Sequence, residues 1–539
     1  MNILIVDDQK KDYIKLSDRL QIDNPCFNID YAKNAIEGIQ ILEKKEFDIL
    51  VLDQKMGGPN MDGTDLLRKI REKNIRKVPE IIFVTANYNL IPAETIVAEN
   101  VSITLFIEKD TSFLDTLYRG IMLIVKRMRG GAKYQPKDLF GNQFNNLILE
   151  EANKLLTNDI PGYYSPLQRS QIGTMIRSYI SSLKMRSEWD EDDVLELSIF
   201  FAEGLCKIFK IPEELIDILK RFLNVEEILY TIPHYRDHFF HQIKVFFLGF
   251  CLINELNRNR LLAGHILETN IGIKTWFITS VFHDIGYPFE KMKLWLNSFI
   301  MGVLKSPVEC TNETDIIPLE FHWGALFGKK YHWYHLQKII EVICQTYDKE
   351  KPTYFAELIS DVASFVSETP DHGVYSSLIL LNFLRERLSE KEIDSISVAV
   401  ALHNDNISKL VRQILNEPLS FEKDPLSFLL AYCDIAQDWG RVKPTIDKSK
   451  GYSKFGFPSF ASDKIFDFEN KVVNINLCYN NYMTVPEQKE WYNTIFSKHI
   501  QPMTNYWSSR RTLLPKIDFS ITYYHQDIRI ENILNRLNI

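Results

Sequence analysis

Histidine is absent from the first 233 residues of this 539-residue chain, and ten of its twelve histidines fall between His234 and His403. Paired cysteines are missing too: the seven thiols (Cys26, Cys206, Cys251, Cys310, Cys344, Cys433, Cys478) stand singly, with no CxxC spacing. That pattern excludes a zinc ribbon or a disulfide framework and suits the reduced thiols of a cytoplasmic protein. Glycine (22) and proline (21) are few, which excludes collagen-like and low-complexity disordered classes. Positive charge is not in excess: 63 basic against 71 acidic residues leave a net charge of −8, unlike a general nucleic-acid binder or a ligand of anionic membranes. The longest apolar run, Val245 to Ile253, is about half a bilayer span and reads as a buried helix. The opening residues MNILIVDD have no basic leader region, and their apolar run ends in two aspartates, so they do not read as a signal peptide. What remains, 45% hydrophobic and 25% charged residues, is ordinary globular composition. At roughly 150 residues per domain the length accommodates about three or four domains.

Short aliphatic runs at 2–6, 48–52 and 80–84 are each followed by turn or acidic residues and then by a helical pattern, as at Ala35–Lys44 and Thr64–Lys73. A fourth run at Ile103–Ile107 and a closing helix near Leu114–Lys126 complete a doubly wound, flavodoxin-like α/β domain over 1–126. A basic, glycine-containing linker occupies 127–137. Residues 138–224 read as connecting helices, and helical periodicity continues through 225–445. Beyond, strand-like alternation at Val472–Cys478 and Ile517–Tyr524 around a helical stretch, Glu487–Ile500, predicts a small α+β segment over 446–539. The reading is thus multidomain: α/β, then all-α, then α+β. The chain has no internal repeat of 20–50 residues.

In an open parallel sheet, ligands sit beyond the carboxyl ends of the strands. Asp7, Asp8, Asp53, Thr85 and Lys109 all fall at that edge. Single acids there often only cap the next helix. Three carboxylates together repel one another unless a hard cation joins them, and Mg²⁺ takes one or two carboxylates plus phosphate oxygens. This stretch resembles the receiver domain of bacterial response regulators. The resemblance implies that Asp7, Asp8 and Asp53 hold Mg²⁺ and that Asp53 accepts a phosphoryl group from a sensor histidine kinase. It also implies that Thr85 and Phe106 form the switch pair and that Lys109 contacts the phosphate. Two features depart from the usual pattern: the loop Gly57–Gly63 is about two residues longer than is usual for the family, and Asp110 stands where a proline commonly follows the lysine.

In the histidine-rich block, His241 opens an apolar helix, His283-Asp284 follows the apolar stretch Trp276–Phe282, and His372 and His403 come later. Asp434 closes the series inside Leu430–Asp434. Each polar residue interrupts an apolar helical face, where an unpaired imidazole or carboxylate is costly; shared ligation of metal ions would satisfy them together. A lone His-Asp pair would ordinarily be a core histidine beside a cap. The order H…HD…H…H…D resembles the HD superfamily of metal-dependent phosphohydrolases, in its dinuclear branch, over about 225–445. Asp371-His-Gly and the stretch Cys433–Arg441 also resemble motifs of some HD phosphohydrolases. The resemblance implies that His241, His283, Asp284, His372, His403 and Asp434 bind two divalent transition-metal ions (Mn, Fe or another), with Asp284 as the bridge. Two such cations lower the pKa of a water for attack on phosphorus. The lysine that many members carry three residues after the HD aspartate is Tyr287 here, and Lys244 or Lys291 is its candidate substitute. The Gly286-Tyr-Pro288 sequence adjoins the HD pair and is not the motif of the cyclic-dinucleotide enzymes.

His238 shares a helical face with His241 and is a candidate for substrate contact or ligand support, as is Arg441 after the Asp434 helix; each is equally a cap or a helix-end cation. The aromatic cluster around His322-Trp323 and His332–His335 is either a packing surface or a stacking platform. The expected function is a two-component response regulator whose receiver controls a dinuclear HD phosphohydrolase or phosphodiesterase. Its substrate would be a phosphoester, most plausibly a nucleotide or cyclic nucleotide, with no membrane partner and with homodimerisation open. The rival readings are an iron-dependent HD oxygenase on a small organic substrate and a non-catalytic HD scaffold.

Overall fold

The computed structural model describes residues 1–129 (apart from 24, 57–61, 73–77, 87–102 and 112), 142–156, 166–184, 191–229, 238–259, 271–290, 329–347, 360–361, 371–404, 407, 421–439 (apart from 422 and 438), 459–479 (apart from 468 and 471), 518–525 and 528–529. The chain forms two compact units, 1–138 with 145–211, and 139–144 with 212–539.

In the first unit, β1 (Asn2–Val6), β3 (Ile49–Asp53) and β4 (Glu80–Thr85) are almost wholly buried, as aliphatic strands covered on both faces must be. They alternate with α1 (Ile14–Asp23), α2 (Ala35–Lys44) and α3 (Gly63–Glu72). Asn34 starts α2 by accepting from the Glu37 amide at 2.9 Å. The sheet also contains β2 (Asn28–Ala32), which sequence analysis does not pick out: Asn-Ile-Asp-Tyr-Ala has no apolar run because it is a half-exposed edge strand. β5 spans Leu105–Glu108, slightly later than the run at 103–107, and α4 (Phe113–Arg129) closes the domain. All pairings are parallel, in the order β2-β1-β3-β4-β5. The direction of winding reverses between β1 and β3, and there Val6 pairs with Leu52. That register sets Asp7 beside Asp53 at the crevice where such sheets bind ligands.

The connecting helices of this unit are the portion of α5 (Asn142–Leu156) from Asn145 onward, α6 (Pro166–Lys184) and α7 (Glu191–Phe209). Of these, α6 and α7 lie against β5, and α7 also against α4. Ser178 donates to the Ile103 carbonyl and Ser182 to the Thr104 carbonyl at 3.4 Å. Arg119 reaches Glu203 at 3.7 Å. Phe106 faces a small pocket shared with Met175, Tyr179, Phe200 and Phe201.

The second unit continues with α8 (Glu213–Leu229), α9 (Phe239–Arg258) and α10 (Ile273–Val281), then α11 (Lys329–Tyr347), α12 (His372–Leu384), α13 (Glu390–Leu402) and α14 (Pro425–Ala436). Among the described residues α9 is one helix long and apolar enough to cross a membrane, but its apolar window is 94% buried inside the unit. A helix that is hydrophobic all round belongs in a core. Trp276 of α10 crosses it at Gly249 and donates from Nε1 to the Phe246 carbonyl at 2.8 Å. Side-chain caps start the later helices: Asp371 accepts from Val374 N (3.0 Å), Ser389 from Glu392 N (3.3 Å) and Asp424 from Ser427 N (3.1 Å).

The strands of this unit are β6 (Ser459–Phe460), β7 (Phe466–Asp467), β8 (Val472–Tyr479), β9 (Asp518–His525) and β10 (Ile528–Arg529), with β8 and β9 parallel. Val473, Ile475 and Leu477 of β8 are buried, the alternation expected from sequence. Phe519 of β9 packs on Phe421, Phe428 and Tyr432 at ring distances of 5.1, 4.8 and 5.2 Å, so the strand layer shares its core with the helices. The helix expected at Glu487–Ile500 lies outside the described residues.

Candidate functional site

The first site is at the reversal point of the parallel sheet. Asp7, Asp8 and Asp53 present carboxylate oxygens within 4.8 Å of one another. Asp7 and Asp53 are buried and Asp8 is exposed. Lys109 Nζ lies 2.6 Å from Asp7 Oδ2 and 3.1 Å from Asp53 Oδ1. The Tyr13 hydroxyl donates to Asp7 Oδ2 at 2.6 Å and the Gln9 amide to Asp7 Oδ1 at 2.8 Å, which fixes that carboxylate. Thr85, fully buried, donates to Gln54 Oε1 at 2.5 Å.

One lysine does not balance three carboxylates. Burial, with the charges of Asp7 and Asp8, pushes the Asp53 carboxyl up to about 6 despite Lys109. Burial alone would lower Lys109; its contacts with Asp7 and Asp53 outweigh that and raise it. The surplus negative charge and the all-oxygen donor set fit Mg²⁺, which Asp7, Asp8 and Asp53 would hold. A folded-state carboxyl pKa above the unfolded value means that ionising Asp53 costs stability: the cost is small near pH 4 and complete above pH 6. Without divalent ions, Asp53→Asn is therefore expected to stabilise the first unit by on the order of 2 kcal/mol at pH 7.5. Chemical denaturation across pH 4–8 checks this, and equal midpoints for both proteins at pH 7.5 would contradict it.

Asp110, in place of the common proline, caps the turn into α4 by accepting from the Phe113 amide at 3.2 Å and pairs with Lys207 of α7. The residue next to Lys109 is thus tied to a connecting helix.

The second site is built where helix ends of the second unit meet. His241 lies in the first turn of α9, His372 is the first residue of α12, His403 ends α13, and Asp434 lies in the last turn of α14. His283 and Asp284 lie in the turn after α10, whose last residue is Val281. Sequence analysis sets that pair on a helical face; the turn instead frees both side chains to point into one space, and the helices deliver their ends rather than their flanks.

Asp284 is the centre. Its Oδ1 lies 3.3 Å from His372 Nε2 and 3.4 Å from His403 Nε2, and its Oδ2 lies 3.4 Å from His283 Nε2. Asp434 Oδ1 lies 2.5 Å from His241 Nε2 and 3.7 Å from His283 Nε2. All four imidazoles have the opposite nitrogen occupied: His283 Nδ1 meets the Ser280 carbonyl (2.7 Å), His403 Nδ1 the Val400 carbonyl (2.6 Å), His372 Nδ1 Glu290 Oε2 (2.6 Å) and His241 Nδ1 Gln437 Oε1. An acceptor at Nδ1 keeps the proton there and leaves the Nε2 lone pair for another ligand. Among the described residues, the buried Nε2 atoms of His283 and His403 have no hydrogen-bond partner.

The carboxylates here are held in their charged form. Burial would raise Asp284, but His283, His238 and His403 hold it well below the ordinary range; His241 and His283 do the same for Asp434. Burial would lower His372, but Glu290 and Asp284 outweigh it and raise that imidazole to about 9. Metal ions would displace those protons. The donor set, convergent imidazole nitrogens around a two-oxygen carboxylate, fits a pair of divalent transition-metal ions.

The other sequence candidates fall as follows. His238 Nδ1 lies 2.9 Å from Asp284 Oδ2, and its ring stacks on Tyr287 at 3.6 Å. Tyr287 also meets the edge of His372 at 5.3 Å. Lys244 is fully buried and donates to the Trp439 carbonyl at 3.4 Å. Lys291, Arg441 and the side chains around His322 and His332–His335 lie outside the described residues. Two groups escape sequence analysis. Gln437 is three residues after Asp434, a spacing that shares a helical face, so its signal was present. Glu290 is six residues after Asp284 and has no periodic signal.

Comparison with known proteins bears on the first site. Residues 3–117 match the response regulator receiver domain family. A 74-residue stretch is 32% identical to the sensor protein EvgS of Escherichia coli (strain K12), covering 14% of this chain and 6% of that protein. A 61-residue stretch is 41% identical to the probable transcriptional regulator ycf29 of Porphyra purpurea, covering 11% of this chain and 28% of that protein. The chain therefore spans well under a third of either relative. Among solved structures, the receiver domain of Francisella response regulator 1452 is 23% identical, with 24% of this chain and 98% of that chain covered and a TM-score of 0.20. A two-component response regulator from Clostridium difficile is 24% identical, with 24% and 99% covered and a TM-score of 0.21. The first unit contains a response regulator receiver domain.

Proposed function

We propose that this chain is a two-component response regulator in which phosphorylation of Asp53 by a sensor histidine kinase controls a dinuclear HD phosphohydrolase in the second unit. The observation that carries the hydrolase reading is the convergence of four Nε2 atoms on the two oxygens of Asp284 and on Asp434, each imidazole held from behind at Nδ1. Two divalent ions held there would supply Lewis acidity and a water of lowered pKa for attack on phosphorus. Asp284 would hold both ions, His241, His283 and Asp434 one of them, and His372 and His403 the other. His238 and Tyr287 would form a stacked wall beside the ions. The substrate is a phosphoester, in the first instance a nucleotide or cyclic nucleotide, and the compartment is the cytoplasm.

Support for receiver control comes from within the first unit. The switch aromatic Phe106 and the residue after Lys109 both contact the connecting helices α6 and α7. Phosphoryl transfer to Asp53 would draw Lys109 toward the new phosphate, and Asp110 with it, loosening or tightening the pair with Lys207.

Metal analysis of the purified protein, followed by assay of nucleotides, cyclic nucleotides and simple phosphodiesters with and without beryllofluoride, tests the proposal. Metal-dependent release of phosphate or opening of a phosphodiester, altered by beryllofluoride, is the expected result. No turnover with Mn²⁺, Mg²⁺ or Fe²⁺ in either state of the receiver would overturn it. The same donors also suit iron, so O₂ consumption with Fe²⁺ and no anaerobic activity with Mn²⁺ would favour the oxygenase reading instead.

A further inference from the structure

The two ion positions are unequal in what surrounds them. On one side, His283 faces Asp284 Oδ2, which also meets His238 at 2.9 Å, and His241 and His283 both face a second carboxylate, Asp434. Around Asp284 Oδ1 stand His372 and His403 alone among the six ligand candidates. The second position therefore has one donor and one negative charge fewer. Glu290 is the group that offsets this. Its Oε2 lies 2.6 Å from His372 Nδ1 and 3.3 Å from the His372 backbone amide, so one carboxylate oxygen grips both the ring and the start of α12. The Asn404 amide approaches the same Nδ1 at 3.2 Å, but the shorter contact to a charged acceptor takes the proton. The other three imidazoles are backed by neutral acceptors: two carbonyls and the Gln437 amide.

We infer that Glu290 is a positioning residue that retains the second ion, and that the His372–His403 position is the weaker of the two. This rests on the dinuclear reading above. A carboxylate behind a ligating imidazole fixes its tautomer and strengthens it as a donor, and loss of such a partner costs about 10–100-fold in metal affinity. Glu290 contributes here what Asp434 contributes at the first position, but from behind the ligand rather than on the ion.

The test is a titration of the metal-free full chain with Co²⁺, whose visible absorption reports imidazole ligation, in excess Mg²⁺ to occupy the receiver's oxygen site. The wild-type chain is expected to take up two Co²⁺, one tightly and one more weakly. Glu290→Gln is expected to weaken the second binding step 10–100-fold and to leave the first unchanged. In a His372→Ala background the same substitution is expected to change nothing further, because Glu290 acts through that ring; a purely structural role would lower affinity in both backgrounds. Two unaltered binding steps in Glu290→Gln, or additive losses in the double variant, would overturn the inference. Loss of both steps in Glu290→Gln with an unchanged circular dichroism spectrum would overturn it as well; a misfolded variant moves the same comparison to Glu290→Asp. A wild-type chain that takes up no pair of Co²⁺ ions would instead overturn the dinuclear reading on which it rests.

Discussion

In the dinuclear site proposed for the second unit, Asp284→Asn is expected to leave at most one metal ion and to abolish the proposed phosphoester hydrolysis. The substitution keeps size and hydrogen-bonding capacity but removes the charge that faces three of the ligand imidazoles, with separations of 3.3 to 3.4 Å to His283, His372 and His403. No other described carboxylate touches both halves of the site; Asp434 faces only His241 and His283. Loss of a group that supports a ligand costs about 10–100-fold in affinity, and loss of a direct, shared ligand is expected to exceed that at both positions. The four imidazoles would remain, each still held at Nδ1, so residual binding of a single ion by His241, His283 and Asp434 is the most the variant should retain. Metal content after gel filtration, measured beside hydrolysis, decides the matter. Two ions per chain in Asp284→Asn would remove Asp284 from the centre of the site. The variant's metal-free fold should also lose a stabilising contribution, because a depressed carboxyl pKa marks a charge that favours the folded state above the unfolded carboxyl pKa.

Gly249→Ala is expected to destabilise the second unit by about 3 kcal/mol or more, although the same change in an isolated helix would stabilise it by about 1 kcal/mol. A Cβ at Gly249 would stand 1.9 Å from one carbon of the Trp276 indole and 2.1 Å from another. The indole cannot swing aside: it is fully buried and anchored through Nε1 to the Phe246 carbonyl. Relief would require α9 and α10 to separate. Since α10 leads straight into His283-Asp284, that separation would also move the centre of the proposed metal site away from His241 on α9. The expected result is therefore a lowered unfolding transition together with weakened Co²⁺ uptake. Partial recovery of both by Trp276→Phe in the Gly249→Ala background would tie the effect to this one contact. An unchanged transition would mean that the helices are less closely packed than the structure has them.

The two sites differ in how far they could be read from the chain. At the receiver site every group lies at or just past the carboxyl end of a strand, and those strands carry the aliphatic runs expected of a doubly covered sheet. Once the strands are located, sheet geometry brings their ends together, so Asp7, Asp53, Thr85 and Lys109 were legible. The strand that escaped, Asn28–Ala32, is on the sheet's edge, where one side faces water and burial puts no demand on composition.

In the helical unit the candidate ligands were legible only as an order of polar residues in apolar surroundings. Their pairing depends on which helix ends meet, and helical periodicity carries no such information. It identifies a face, whereas this site uses termini and a turn. For the same reason Glu290 and the carbonyls of Ser280 and Val400 were invisible: a backbone acceptor has no sequence signature, and a partly exposed glutamate on the short helical stretch after Asp284 resembles any other surface acid.

By itself, then, the amino-acid sequence determined four of the five described strands of the receiver, the residues of its acidic strand-end cluster and the inventory of imidazoles and carboxylates in the second unit. These follow from local burial demands and from strand-end chemistry, which act over a few residues at a time. The tertiary structure alone decided that the Nε2 atoms face inward while Nδ1 is held, that Asp284 divides its oxygens between two histidine pairs, and that Glu290 backs one of them. Those are relations between residues up to about 200 positions apart, as with His241 and Gln437. Only the packing of helix on helix, at contacts such as Gly249 against Trp276, brings them within hydrogen-bonding distance.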